Sequence, residues 1–314
     1  MVTVTVAPAG RSVSLAKGLP ITVSIPGKGV ETATVADVKA EIVKKFPRFE
    51  VSRQKLALKE DKRALVDDKT LRDAGVVDGG EVTVKDLGPQ IGWRTVFLIE
   101  YAGPLVIHPI FYYLPKIIYG GSVQHSRVSQ YVFAMTMLHF FKRELETVFV
   151  HRFSNGTMPF SNVFKNSGHY WVFSGAALAY SVYSPAYSSS SPFIRGTYRD
   201  DPTFLMACLG IWIFAELSNF SAHMTLRNLR PAGTRKRGIP HGYGFSLVSC
   251  PNYFFELLGW AVIAVMTGSY AAYTFLAIAG YIQTVWAIKK HRNYKKEFGN
   301  QYPKGRKVIF PFIL

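Results

Sequence analysis

From residue 94 onward the chain alternates long apolar runs with short polar breaks, and few folds accommodate that pattern. The runs are 95–114, 128–141 (continuing to Val150), 168–184, 203–222 and 253–288. A helix needs roughly 20 apolar residues to cross about 30 Å of hydrocarbon. The last run is long enough for two such helices, with Gly268-Ser269 as the turn between them. The expectation is an all-α polytopic membrane body of about six spans, or seven with softer boundaries. Small residues at 175–179 suit close helix packing, and Tyr and Trp at the run ends suit interfacial belts.

The runs are not uniformly apolar. Glu100, His108, His139, Lys142, Arg143, Glu144, Glu146, Glu216, His223 and Glu256 all interrupt them. A charge in hydrocarbon costs a few kcal/mol even on lenient scales, so these groups need partners and a protein-lined cavity. Lys142, Glu146 and Arg143 fall midway through the run 128–150, with Lys142 and Glu146 four apart on one helix face. That stripe reads either as an active-site entrance or as a helix end whose basic residues snorkel to headgroups. His108 and His139 read as packed helix histidines. A transporter or channel would also explain a polar interior.

Charge narrows the classes. The chain has 37 Lys/Arg and 20 Asp/Glu; residues 1–85 hold 15 and 11 of these, so the excess lies in the membrane part. Five basic residues lie in Arg227–Arg237 and eight in Lys289–Lys307. No finger, basic helix or RNP-like pattern supports nucleic-acid binding, whereas basic clusters flanking apolar helices fit the positive-inside rule. Cys208 and Cys250 give neither a disulfide framework nor metal-site spacing. The N-terminus lacks a signal-peptide core, so the head and the C-terminus are expected on the cytosolic side. The sequon Asn155-Gly-Thr157 would then be inert. The segment 184–193 reads as a flexible connector.

Residues 1–86 read as a separate α+β head, leaving 87–314 for the membrane domain. VTVTV (2–6) and PITVSI (20–25) alternate as strands. Thr34 and Asp37 form a capping-box signature in front of a helix whose Val35, Val38, Ile42 and Phe46 share a face. KLAL (55–58) and EVTVK (81–85) give further strands, with a short helical turn and a glycine turn expected between them. The order, and DKTLRDAGVVDGGEVTV in particular, resembles a ubiquitin-like β-grasp domain. Gly79-Gly80 is internal, so the head is expected to dock or pack rather than serve as a conjugation tag.

The chemistry-bearing residues concentrate towards the end. A glycine-rich loop enters a helix through Asn252-Tyr253-x-x-Glu256, placing Asn and Glu on one face with Tyr beside them. A final helix ends in Lys289-Lys290-His291-Arg292-x-Tyr294. With the ending HRxYxxxF…YPxxRKxxxPFI, the spacing Asn219-x-x-x-His223, Arg227-x-x-Arg230 and FLIE (97–100), residues 94–314 resemble the steroid 5α-reductase family. Together with the head, HFFKRELETVFVHRFSNGTMP is most similar to that family's very-long-chain trans-2-enoyl-CoA reductase branch.

The resemblance implies an endoplasmic-reticulum membrane enzyme. It would use NADPH to reduce the trans-2 double bond of very-long-chain enoyl-CoA, the last step of fatty-acid elongation, which also feeds sphingolipid metabolism. Other elongation enzymes and membrane lipid are the implied partners. It assigns Asn219, His223, Arg230, Asn252, Glu256, His291, Arg292 and Tyr294 to the cofactor. His223 stands where the steroid enzymes carry Asp. Those enzymes polarise a ketone with Glu and Tyr; Glu100 matches the first, but Phe140 occupies the second position and a tyrosine appears instead at Tyr253. Tyr253 is therefore the expected proton donor, because its O–H stays protonated at neutral pH. Glu100, Lys142, Arg143 and Glu146 complete the catalytic set. Thioester conjugation makes the β-carbon electrophilic, so no metal is expected. A steroid or polyprenol double-bond reductase of the same fold is the alternative enzyme, and a lipid transporter or scaffold the alternative outside enzymes. No GxGxxG fingerprint and no inverted repeat are present.

Overall fold

A computed structural model describes residues 1–153, 156–231 and 238–314. The expectations for Asn155 and for the basic residues Arg235, Lys236 and Arg237 lie outside these. The chain divides into two compact units, one of residues 1–92 with 157–161 and one of residues 93–156 with 162–314.

The first unit is a small α/β fold. Strands β1 (Val2–Pro8), β2 (Ile21–Ile25), β3 (Gln54–Leu58) and β4 (Glu81–Asp86) form a mixed sheet in the order β2-β1-β4-β3. β1 is antiparallel to β2 and parallel to β4. Period-two alternation turns Val2, Val4 and Val6 to the core, where they meet Val35, Val38 and Ile42 of α1 (Val35–Lys45). The capping box at the start of α1 is complete: Asp37 N–H donates to Thr34 Oγ1 at 3.2 Å, and Thr34 N–H to Asp37 Oδ2 at 2.8 Å. Residues 70–75 form the short turn expected, with Ala74 N–H donating to Thr70 O at 3.0 Å and Asp73 N–H to Thr70 Oγ1 at 3.1 Å. The amides of Leu71 and Arg72, which a helical first turn leaves without a partner, donate to Ala33 O and Val30 O. A two-stranded sheet pairs β5 (Gln90–Gly92) with β6 (Thr157–Pro159).

At one end of β3 and β4, Arg53 donates to Asp86 through Nε at 3.0 Å and Nη2 at 2.7 Å. This fork holds the Asp86 carboxyl below the usual carboxylate range. Such a group contributes stability above its unfolded pKa, near 4, and loses it as pH falls through the folded value. Asp86→Asn is therefore expected to weaken protection of the β3–β4 amides by about 0.5–1 kcal/mol at pH 7. The deficit should shrink below pH 4. Hydrogen exchange on the full chain measures it, and a deficit independent of pH would contradict the assignment.

The second unit is helical. It comprises α2 (Trp93–Tyr113), α3 (Pro115–Tyr119), α4 (Arg127–Phe149), α5 (Asn162–Gly168), a π-helical segment His169–Ala177 running into α6 (Leu178–Val182), α7 (Pro202–Asn228), α8 (Pro251–Thr267) and α9 (Tyr270–Phe298). Among the described residues, α2, α7 and the helical stretch Tyr270–Gln301 are long and apolar enough to cross a membrane. The run 128–150 forms the continuous helix α4, which carries Lys142, Arg143, Glu144 and Glu146 internally. α8 is shorter, at 17 residues. Gly268 in the left-handed region, followed by Ser269 capping α9, makes the turn expected there.

The burial of α7 is inverted relative to a water-soluble helix. Phe214 is 52% and Leu217 64% exposed, while Glu216, Asn219 and His223 are buried. An apolar exterior over a polar interior suits lipid outside and a functional cavity within. The π-helical segment packs closely on α2. Trp171 lies over Gly103, where a Cβ would overlap the indole, and its Nε1 donates to Ile99 O at 3.1 Å. The segment 184–193 is pinned as well as connecting: Tyr187 is buried and its OH donates to Thr267 O at 3.2 Å.

Candidate functional site

The stripe on α4 faces the protein. Residues 139, 142, 143 and 146 recur at three- and four-residue spacing, so one helix face carries His139, Lys142, Arg143 and Glu146 towards α7. Arg143 is buried; it donates from Nη1 to Glu146 Oε2 at 2.5 Å and from Nη2 to Tyr101 OH at 2.9 Å. Its guanidinium also lies 5.1 Å from the centre of the Tyr101 ring. Lys142, half-buried, reaches Glu216 Oε2 at 2.7 Å, Asn219 Oδ1 at 2.7 Å and the Glu216 carbonyl at 3.1 Å. Glu216 Oε1 meets His139 Nδ1 at 2.7 Å, and Glu146 Oε1 meets His223 Nδ1 at 3.1 Å.

Two cations and two carboxylates thus balance in one buried network, which is how ionised groups persist in a low-dielectric interior. The network extends to α8, because Asn219 Nδ2 donates to the Asn252 carbonyl at 2.8 Å. One turn on, Glu256 Oε1 accepts from Gln283 Nε2 of α9 at 3.1 Å.

Several buried polar atoms around this network have no hydrogen-bond partner among the described residues. They include Glu100 Oε2, Asn252 Oδ1 and Arg143 Nε. Unsatisfied buried groups cost about 1–3 kcal/mol each, so these atoms call for a partner such as water or a ligand. Tyr253 is half-buried and its OH makes no hydrogen bond among the described residues. The Lys290 ammonium lies 5.6 Å from the centre of its ring.

A second group gathers at the end of α9. His291 Nδ1 and Ser249 Oγ are 2.6 Å apart, and Ser249 Oγ is also 2.6 Å from Tyr302 OH. Tyr294 stacks on Tyr302 with ring centres 5.6 Å apart. Arg230 Nη1 donates to Arg152 O at 2.8 Å. Arg292 is exposed.

The structure therefore brings Lys142, Arg143, Glu146, Asn219, His223 and Asn252 into one network and collects His291 and Tyr294 in another. Glu100 is buried one residue before Tyr101, whose OH accepts from Arg143 of the first network. Phe140 is fully buried against Tyr101, Tyr170 and Trp260, at ring-centre distances of 6.2, 6.0 and 5.9 Å. Tyr101, His139, Glu216 and Lys290 belong to these groups without having been singled out as site residues. Glu216 and His139 interrupt apolar runs and were visible as ionisable; their partnership requires two helices to meet. Tyr101 carries no signal beyond adjacency to Glu100, and Lys290 was visible only as one cation of the cluster that ends α9.

Glu146, His151 and His223 place donor atoms within 4.8 Å of one another, a geometry some cations use. Arg143 Nη1 already lies 2.5 Å from Glu146 and 3.3 Å from His223. Its charge does the work a metal would do, so the trio reads as part of the ion-pair network.

Known proteins resemble the chain over most of its length. The profile of a family described as 3-oxo-5-alpha-steroid 4-dehydrogenase matches residues 156–314. A Schizosaccharomyces pombe protein, provisionally named an enoyl reductase, is 50% identical over 254 residues, covering 81% of this chain and 83% of its own. A Dictyostelium discoideum protein named very-long-chain enoyl-CoA reductase is 41% identical over 90% of this chain and 93% of its own. A mouse protein named trans-2,3-enoyl-CoA reductase-like is 32% identical over 93% of this chain and 81% of its own.

Proposed function

The chain belongs to the 3-oxo-5-alpha-steroid 4-dehydrogenase family, and from that premise we propose how its residues divide the work of enoyl reduction. It is an oxidoreductase, a very-long-chain enoyl-CoA reductase acting in fatty-acid elongation, and its apolar helices make it a membrane protein. It takes its electrons from a nicotinamide cofactor, and NADPH is the form proposed. The proposal extends to the endoplasmic reticulum as location, with the head and C-terminus cytosolic. It also includes a β-grasp, ubiquitin-like identity for the head, whose β2-β1-β4-β3 order with parallel β1 and β4 is of that type. Other enzymes of the elongation cycle are the partners proposed, with sphingolipid synthesis among the consumers of the product.

The observation that carries the mechanism is the free phenol of Tyr253 at the start of α8, next to Asn252 and its unpartnered Oδ1. The site's residues fit a dinucleotide: orphaned donors and acceptors line it, and basic groups lie at the end of α9. Asn219, His223, Asn252, Glu256 and, nearer the phosphates, Arg230, His291, Arg292 and Tyr294 would hold it. Bound there, NADPH would supply a hydride for the β-carbon of the enoyl thioester. Tyr253 donates a hydrogen bond to the thioester oxygen, where negative charge develops. It then gives its proton to the α-carbon, so that hydride and proton together saturate the double bond. Lys290, close over the ring, compensates the phenolate left behind. The Lys142–Glu216 and Arg143–Glu146 pairs hold α4 and α7 together and keep Asn219 aimed at α8. Glu100 Oε2 remains available to the substrate end of the site. Phe140, packed among rings, brings no hydroxyl to the position that matches the ketone-polarising tyrosine of the steroid enzymes.

Purified protein given a trans-2-enoyl-CoA should form saturated acyl-CoA, and a 4-ene-3-keto steroid should remain unreduced. NADPH should exceed NADH in kcat/KM by about 10–100-fold, the worth of a charge-assisted contact to the extra phosphate. Equal kcat/KM for the two cofactors, or steroid reduction, would contradict this account.

A further inference from the structure

Tyr170 stands in the π-helical segment His169–Ala177, a helix type that is rare and recurs at functional sites. Building on the enoyl-reductase reading, we propose that Tyr170 is a second hydrogen-bond donor to the thioester oxygen. It holds the developing charge while Tyr253 gives up its proton to the α-carbon.

Tyr101, Tyr170 and Tyr253 all lie near Arg143. The Tyr101 hydroxyl is already engaged, accepting from Arg143 Nη2 at 2.9 Å. The hydroxyls of Tyr170 and Tyr253 make no hydrogen bond among the described residues. A phenol inside a protein normally finds a partner, so these two call for water or a ligand. Tyr170 feels the charges of Arg143, Glu100 and Glu256, and Tyr253 those of Arg143 and Glu256. Both phenols lie deep in the helical unit, yet both are only half-buried. Accessible surface at that depth belongs to an internal space, which the two hydroxyls share with the same charged neighbours.

The Tyr170 ring is fixed without help from its hydroxyl. It meets Tyr101 edge-on, with centres 5.2 Å apart and planes at 79°, and Phe140 at 6.0 Å and 89°. His169 and Phe275 pack on it at 5.0 and 6.3 Å. The Tyr170 carbonyl accepts from Ser174 Oγ at 2.8 Å, which ties down the backbone. A donor held this way is preorganised, and a transition state that develops charge gains most from such donors.

The chemistry needs a second donor. Saturating the β-carbon moves the double-bond pair to the α-carbon and, by conjugation, onto the thioester oxygen. Tyr253 cannot stay on that oxygen while its proton passes to the α-carbon. Tyr170 keeps its own proton throughout, so the oxygen retains a donor until the carbonyl re-forms. At the end the α-carbon holds the proton from Tyr253, the Tyr253 phenolate regains one from water, and Tyr170 is unchanged.

The test compares full-length wild type with Tyr170→Phe on a long-chain trans-2-enoyl-CoA at saturating NADPH. kcat should fall by about 10²–10³-fold, the usual loss for one oxyanion donor. Thermal unfolding should be unchanged, because the lost hydroxyl orphans no partner. The Kd for NADPH, measured by calorimetry, should stay within about twofold. The isotope effect on kcat with NADPH deuterated at nicotinamide C4 should be at least as large as in wild type, since the step that creates the charge is the one slowed. Tyr170→Met, which removes the donor with a different shape, should show the same loss of kcat per folded molecule. A kcat within about threefold of wild type overturns the proposal. So does a Kd for NADPH weakened more than about fivefold, which would place the hydroxyl on the cofactor, or a smaller isotope effect. Failure of the enoyl-reductase reading would show separately, as wild-type protein that forms no saturated product.

Discussion

Tyr253→Phe is expected to lower kcat by about 10²–10⁴-fold, the usual worth of a general acid, while leaving the fold and cofactor affinity unchanged. Stability should survive because the hydroxyl makes no hydrogen bond among the described residues, so its removal orphans no partner. The ring keeps its place under Lys290 and against the helical core. The competing account treats Tyr253 as an interfacial tyrosine at a helix end, and for that role phenylalanine serves almost as well. The two accounts separate on kcat measured with saturating cofactor, alongside the Kd for NADPH. A kcat within a few fold of wild type would remove Tyr253 from the mechanism.

Arg143→Met is expected to cost about 3–5 kcal/mol of stability, since it strands Glu146 in the interior without its closest counter-charge. Glu146 would keep only His223 at 3.1 Å and Lys142 at 3.6 Å. Removing both charges in Arg143→Met/Glu146→Leu should recover much of that loss, because a buried pair is often no more stable than an apolar replacement. Lys142→Ala should cost less, its side chain being partly solvated. Thermal unfolding of the three variants in one detergent gives the comparison, with reductase activity expressed per folded molecule. If the stripe serves the reaction, the double variant should fold and remain impaired. A single Arg143→Met variant within about 1 kcal/mol of wild type would mean that the pair carries far less than its burial suggests.

Much of the architecture was legible because it depends on local rules. Thr34 and Asp37 announce the cap of α1 by spacing alone, and alternating valines announce β1. Gly268-Ser269 marks a stop and a start in adjacent residues. The charges of α4 were legible as charges needing partners, and spacing gave the Lys142–Glu146 pair, found at 3.6 Å, but not the partners on other helices. His139 to Glu216 and Arg143 to Tyr101 depend on how helices far apart in sequence meet. The π-helical stretch at 169–177 has no local signature. It contains Trp171, which lies over Gly103, a tertiary contact that no local pattern shows. Tyr170 reads as one aromatic of an apolar run, and only its unpaired hydroxyl near Arg143 singles it out. The turn at 70–75 was legible too, from Thr70 and Asp73 at cap spacing.

The central claim is that hydride from the nicotinamide reaches the β-carbon and a proton relayed through Tyr253 reaches the α-carbon. It is tested most directly by reducing a long-chain trans-2-enoyl-CoA with NADPH deuterated at nicotinamide C4, in parallel with unlabelled NADPH in deuterium oxide. Mass spectrometry of the acyl product should place one deuterium at the β-carbon in the first reaction and one at the α-carbon in the second. Cofactor deuterium at the α-carbon, or saturated product that carries none from either stereoisomer of the labelled cofactor, would contradict the mechanism.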